Sequence, residues 1–276
     1  MLSDFFAHYD SWTLLILASL AFIAGFIDAV VGGGGLIQIP ALLLSFPSAP
    51  IATLFGTNKI AALAGTSVAA FQYARRITFD FRLLFVISFC CFVSSFTGAR
   101  IVSLINVNVL KPLILFILIA IAIYTFFKKD LGSYKSKELP FKKQLIYGSL
   151  IGLIIGFYDG FFGPGTGSFF VLAFVIVLGF EFVQASAYAK AVNCITNISA
   201  LIVFIRQGNY MLELALLMAG LNIAGNVIGS KLALRKGNDF VRVIFLVVVT
   251  LMIFKYGWEV FQSLGVLGKF SKAPAE

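Results

Sequence analysis

The chain is predicted to be all-α: a polytopic transmembrane helical protein of two pseudo-symmetric halves, each holding a glycine-broken, re-entrant helix. Three observations predict it. Of 276 residues, 60% are hydrophobic and only 12% charged, against about 25% charged in an ordinary soluble domain. At about 20 apolar residues per crossing, such a chain holds roughly eight to ten membrane segments and little extramembrane material. Sliding the sequence along itself by about 131 positions aligns two halves at the residues least expected in a membrane helix. Each half also opens on an apolar segment interrupted by a dense run of glycines.

The first element, 12–46, is broken at Gly32-Gly33-Gly34-Gly35. A continuous helix would lose roughly 1 kcal/mol per glycine there, so the segment is expected to unwind. Asp4 and Asp10, with no Lys or Arg, precede it. It therefore lacks the basic lead of a secretory signal peptide and is read as a retained helix. A lysine-bearing helix follows over 51–74, then two more over 83–105 and 110–127. The second half repeats the order: 144–180, broken at Gly163-Pro164-Gly165-Thr166-Gly167, then 184–205, 211–234 and 241–262. Pro164 adds a missing backbone donor to the glycine penalty. The organisation is thus an N-terminal membrane repeat (1–127), a basic linker (128–143) and a C-terminal membrane repeat (144–276). The linker, with Lys128, Lys129, Lys135, Lys137, Lys142 and Lys143, is placed in the cytoplasm by the positive-inside rule.

The alignment of the halves pairs Gly25-Phe26-Ile27-Asp28 with Gly156-Phe157-Tyr158-Asp159, Lys59 with Lys190, Arg75 with Arg206, and Gly98 with Gly229. A charge at mid-helix costs about 2.5–3.5 kcal/mol on insertion scales, so matched Asp and Lys mean more than matched Leu. Loop charges bear on how the halves are related. Arg75, Arg76 and Arg82 cluster after the first lysine helix, whereas Arg206 is balanced by Glu213. One helix later the bias swaps, with neutral Ile105-Asn106-Val107-Asn108 against Arg235, Lys236 and Arg242. Equivalent loops on opposite faces would show this swap, which favours inverted repeats, each crossing an odd number of times. A parallel duplication with eight plain spans is the alternative.

A helix that starts inside a membrane presents unpaired N–H groups and about half a positive charge, which makes a seat for an anion. The candidate substrate-binding residues are accordingly Gly33, Gly34, Gly35, Asn58 and Lys59 in the first half, and Gly165, Thr166, Gly167, Lys190, Asn193 and Asn197 in the second. Thr57 and Thr196 add hydrogen-bonding capacity beside them. Asp28 and Asp159 are candidates for charge pairing with the lysines or, if they can take up a proton, for coupling. A structural alternative holds that the lysines serve only that pairing. The ladder Gly148, Gly152, Gly156, Gly160, echoed by Ala21, Gly25 and Ala29, is assigned to close helix packing.

Other chemistries are disfavoured. His8 is the single histidine, and Cys90, Cys91 and Cys194 show no metal-ligand spacing. No metal or other cofactor is therefore expected. The glycine runs lack the Lys-Ser or Lys-Thr of a phosphate loop. The net charge of +9 is spread among loops and helix ends, which points to topology signals in a lipid bilayer rather than to nucleic acid. An intramembrane enzyme would need a nucleophile and base that the helices do not supply. An accessory membrane subunit without transport activity is the rival from another class, and a homo-oligomer is compatible with the sequence.

The strings GFIDAVVGGGGLIQIPALL and TNK, with GFYDGFFGPGTGSFFVLAF and the helix from Ala189-Lys190 to Asn197, resemble the sulfite exporter TauE/SafE family in its YfcA-type branch. The resemblance runs from about Gly25 to Gly237. It implies a bacterial inner-membrane, multi-pass protein moving small, often sulfur-containing anions such as sulfite or sulfoacetate. Gly32 to Gly35, Asn58, Lys59, Gly163 to Gly167 and Lys190 fall on the family pattern. Pro164-Gly165-Thr166 departs from the plain glycine run of many members.

The expected function is transport of a small anion, organosulfur or sulfite-like, by alternating access between the repeats, with an anion channel as the alternative. An inside-negative potential of about 100 mV favours monoanion exit by about 2.3 kcal/mol, so export needs no coupling ion.

Overall fold

The computed structural model describes residues 10–104 and 139–270. His8, the predicted helix 110–127 and residues 128–138 of the linker lie outside the described residues. Among the described residues every regular element is helical: α1 (Ser11–Val31), α2 (Gly35–Ser45), α3 (Ile51–Ala74), α4 (Phe81–Leu104), α5 (Phe141–Phe161), α6 (Thr166–Ile176), α7 (Phe182–Arg206) and α8 (Leu212–Phe270).

The helix starts have local causes. Asp10 caps α1, its carboxylate accepting from the Thr13 amide at 3.1 Å. The Asp80 carboxylate does the same for α4, accepting from Arg82 N and Leu83 N at 2.9 and 3.2 Å. Pro50 and Pro140 precede α3 and α5 with φ near the fixed proline value. Pro140 starts α5 at Phe141 rather than at 144, so Phe141 to Lys143, assigned from sequence to the linker, are helical. The predicted helices 211–234 and 241–262 both lie within α8, in which two helices meet at a non-helical Gly237 (φ 76°, ψ −161°).

Among the described residues, five helices are long and apolar enough to cross a membrane: α1, α4, α5, α7 and Leu212–Val241 of α8. The 24-residue α3 has the length but carries Thr53, Thr57, Asn58, Lys59 and Thr66. The 11-residue helices α2 and α6 extend only about 16 Å, roughly half of a hydrocarbon core. Gly32 (φ 77°) and Gly33 (φ 100°) separate α1 from α2, and Gly163 (φ 92°) and Gly165 (φ 81°) separate α5 from α6. These left-handed conformations are what a glycine adopts at little cost, and they produce the two breaks expected from sequence.

The helices do not pack as two separate sequence halves. α1 lies chiefly against α8, and α5 chiefly against α4. α8 also packs on α3, and α4 on α7. One four-helix group is therefore α1, α2, α3 and α8, and the other is α5, α6, α7 and α4: the fourth helix of each half belongs to the other half's group. The glycine ladder explains how α4 and α5 come close. A Cβ on Gly160 would strike the Ser95 backbone, and one on Gly156 would meet Cys91 Cα at 2.9 Å. On the other side Gly25 faces the Asn222 backbone in the same way. The two groups meet mainly along α3 and α7, the helices that carry Lys59 and Lys190.

Candidate functional site

Asp28 lies in the last turn of α1 and Asp159 in the last turn of α5. Each meets a lysine from the other half. Lys59 Nζ donates to Asp159 Oδ2 at 2.6 Å, and Lys190 Nζ lies 3.1 Å from Asp28 Oδ2. The second pair is close but off the line of a hydrogen bond, leaving Nζ with no aligned acceptor. Asp28 Oδ2 instead accepts from Thr66 Oγ1 at 2.9 Å. All four charged residues are buried, with relative exposures of 0% for Lys190, 2% for Asp159, 4% for Lys59 and 8% for Asp28. Charges this deep are tolerated only with partners of opposite sign. Both lysines are therefore charge-paired, and the four charges cancel.

The two glycine breaks lie face to face. A Cβ on Gly32 would fall on the Gly167 backbone, and one on Gly33 would meet Ser168 Oγ at 2.8 Å. Gly35 faces Pro164, and Gly165 packs on Leu36. The charge pairs flank this junction. Asp28 is against Gly34, while Lys59 Nζ lies 3.6 Å from the position a Gly163 Cβ would take. Each lysine is thus at the break of the opposite half: Lys190 through Asp28 at the start of α2, and Lys59 beside the start of α6.

The ends of the broken helices are satisfied unequally. Three hydroxyls from three other helices cap the last carbonyls of the first segment: Tyr73 to Ala29 O (3.1 Å), Ser186 to Val30 O (3.1 Å) and Ser168 to Gly32 O (2.9 Å). At the second break Thr166 Oγ1 donates to Gly163 O at 2.7 Å and Tyr158 OH to Pro164 O at 2.5 Å. The amides of Leu36, Ile37 and Gln38 are taken by Gly33 and Gly34 carbonyls. Those of Gly34, Gly35, Gly167 and Ser168 carry no backbone hydrogen bond among the described residues, as the first turn of a helix leaves them.

The remaining sequence candidates divide. Asn58 Oδ1 and Asn197 Nδ2 are buried without a hydrogen-bond partner among the described residues. Asn193 Oδ1 accepts from Thr196 Oγ1 at 3.3 Å. Thr57 Oγ1 is spent on structure, donating to Thr53 O at 2.7 Å and accepting from Met211 N at 2.9 Å. Sequence reasoning missed Thr66, Ser168, Ser186, Tyr73 and the buried Gln38, whose Nε2 has no partner there either. Thr66 was discoverable, because the residue 131 positions later is the candidate Asn197. Among the described residues no group of three or more His, Cys, Asp or Glu could hold a metal ion.

Helices apolar enough to cross a bilayer, gathered around buried ion pairs, define an integral membrane protein with a polar centre. The model of the family Sulfite exporter TauE/SafE matches residues 17–256, so the chain belongs to that family, a family of membrane transporters and not of enzymes. The resemblance read from the glycine motifs is thereby borne out. The chain is 35% identical over 249 residues to a probable membrane transporter protein of Haemophilus influenzae, covering 89% of this chain and 96% of that one. It is 34% identical over 256 residues to the probable membrane transporter protein YfcA of Escherichia coli K12, covering 91% and 94%. To the probable membrane transporter protein ORF9 of a Sinorhizobium species it is 39% identical over 238 residues, covering 85% and 88%. No solved structure matches the chain.

Proposed function

We propose that the protein, a probable membrane transporter of its family, carries a small organosulfur or sulfite-like anion out of the cell across the bacterial inner membrane by alternating access. The substrate sits where the two glycine breaks meet, between Gly33, Gly34, Gly35 and Asn58 of the first half and Gly165, Thr166, Gly167, Lys190, Asn193 and Asn197 of the second, with the Lys59–Asp159 pair beside it. The observation that carries this reading is the junction itself: two half-length helices start face to face, each flanked by a buried lysine–aspartate pair. Because the pairs cancel, attraction for the anion comes from the two helix starts, about half a positive charge each.

The halves are inverted repeats in this scheme, with α2 and α6 as re-entrant helices. Helix starts at residues 35, 51 and 81 recur at 166, 182 and 212, a constant offset of 131, which supports the duplication. The loop charges support its inversion. The bodies that rock are the two exchanged groups rather than the sequence halves, since separating the halves would tear α1 from α8 and α5 from α4. Burial of all four charges favours a carrier over an open channel. The purified protein in proteoliposomes tests this. Sulfite efflux should saturate with concentration and speed up under an inside-negative potential. Uphill flux against that potential without an ion gradient would overturn the export scheme.

A further inference from the structure

We infer that the two lysines have different jobs: Lys190 is the anion's ligand, while Lys59 is a fixed pin between the two helix groups. The inference rests on the anion site proposed above and assigns roles within it.

Donor geometry carries the argument. Lys59 Nζ is committed to Asp159 by a short, aligned bond of 2.6 Å. Among the described residues that carboxylate has no second donor. Asn197, equivalent to Thr66 by the 131 offset, makes no hydrogen bond through its Nδ2 there. Withdrawing Lys59 would strand a buried carboxylate, which is the costly way to break an ion pair.

Lys190 stands differently. Its ammonium is fully buried, yet its contact with Asp28 is off-axis and none of its three N–H bonds has an aligned acceptor among the described residues. Asp28 also accepts a bond from Thr66 Oγ1 at 2.9 Å, a second donor that does not depend on Lys190. Asp28 also lies against Gly34, at the start of α2, so the unused donors sit beside a helix N-terminus. An oxyanion there meets both the ammonium and the helix start, and takes no proton from any group.

Thermal shift and equilibrium binding on the purified full chain in detergent test the assignment, with methanesulfonate and sulfite as probes. The expected results are a stabilising shift in the wild type, its loss in Lys190→Gln with binding at least tenfold weaker, and a retained shift in the double variant Lys59→Gln/Asp159→Asn. The double variant removes the pin without leaving a lone buried charge. Should Lys190→Gln fail to fold, Asp28→Asn/Lys190→Gln replaces it and is expected to fold without a shift. Wild-type binding that survives in either Lys190 variant, or disappears in the folded Lys59/Asp159 variant, overturns the division of roles and leaves the anion site standing. If neither probe shifts the wild type, the site reading itself is wrong and the division of roles falls with it.

Discussion

Lys59 and Asp159, 100 positions apart in the chain, form a buried 2.6 Å ion pair, and Lys190 and Asp28 form its counterpart with the halves exchanged. Each of these two lysines is neutralised by the half to which it does not belong. The same exchange governs the helices, with α8 on α1 and α4 on α5. Among the described residues, each group is thus completed by one helix of the other half.

The Lys59–Asp159 pair should behave as a coupled unit. Lys59→Gln alone is expected to cost about 3–5 kcal/mol by stranding Asp159, while adding Asp159→Asn recovers most of that loss. Thermal midpoints of the two single variants and the double variant, in one detergent, give the coupling directly. Additive losses would show that the pair contributes little.

Glycine positions should separate by what surrounds them. Gly32→Ala places a Cβ on the Gly167 backbone at φ 77° and ψ 168°, so it is expected to lose more than the backbone strain of about 1–3 kcal/mol, because the two breaks must also move apart. Gly220, exposed on α8 with nothing within 4 Å of an added Cβ, should gain about 0.5–1 kcal/mol as Ala. Midpoints for the two variants moving in the same direction would contradict the packing described.

Substrate charge is constrained by the cancellation of the four buried side chains. With only about one positive charge left from two helix starts, a dianion would remain under-compensated in a buried site. Sulfate is therefore expected to bind at least tenfold more weakly than methanesulfonate at the same ionic strength. Equal affinities in a competition assay would mean that the lysines are not held neutral when the anion binds.

What the sequence disclosed and what it concealed follow from the range of the interactions. The glycine breaks and helix starts were legible because they depend on local chemistry: Gly32 and Gly163 take left-handed φ, and Pro50 starts α3. The starting positions of α2, α3 and α4 reappear 131 residues later. The partners were not legible. Periodicity shows that α1 has a small-residue face at Gly25, but not that the face meets Asn222 of α8 rather than a helix of its own half. Nor does it choose between Asp28 and Asp159 as the partner of Lys59. The capping hydroxyls were hidden for the same reason: Ser186 reads as a small residue in an apolar helix until Val30 O is brought to it from 156 positions away.

The interface between the two groups can be locked with a thiol already present. Cys194 Sγ on α7 lies 3.8 Å from Ser67 Oγ on α3, across the seam along which the groups are proposed to move. Ser67→Cys should therefore form a disulfide with Cys194 under mild oxidation, the side-chain separation needing only a small closure to reach bonding distance. The control is the unsubstituted chain under the same oxidation, in which Cys194 faces the Ser67 hydroxyl instead of a second thiol. If the exchanged groups are the moving bodies, the cross-link abolishes flux in proteoliposomes and reduction restores it, while oxidation leaves the flux of the unsubstituted chain unchanged. Flux that persists once the thiol introduced by Ser67→Cys is fully bridged to Cys194, with completion measured by loss of free thiol, would place the motion elsewhere than along α3 and α7.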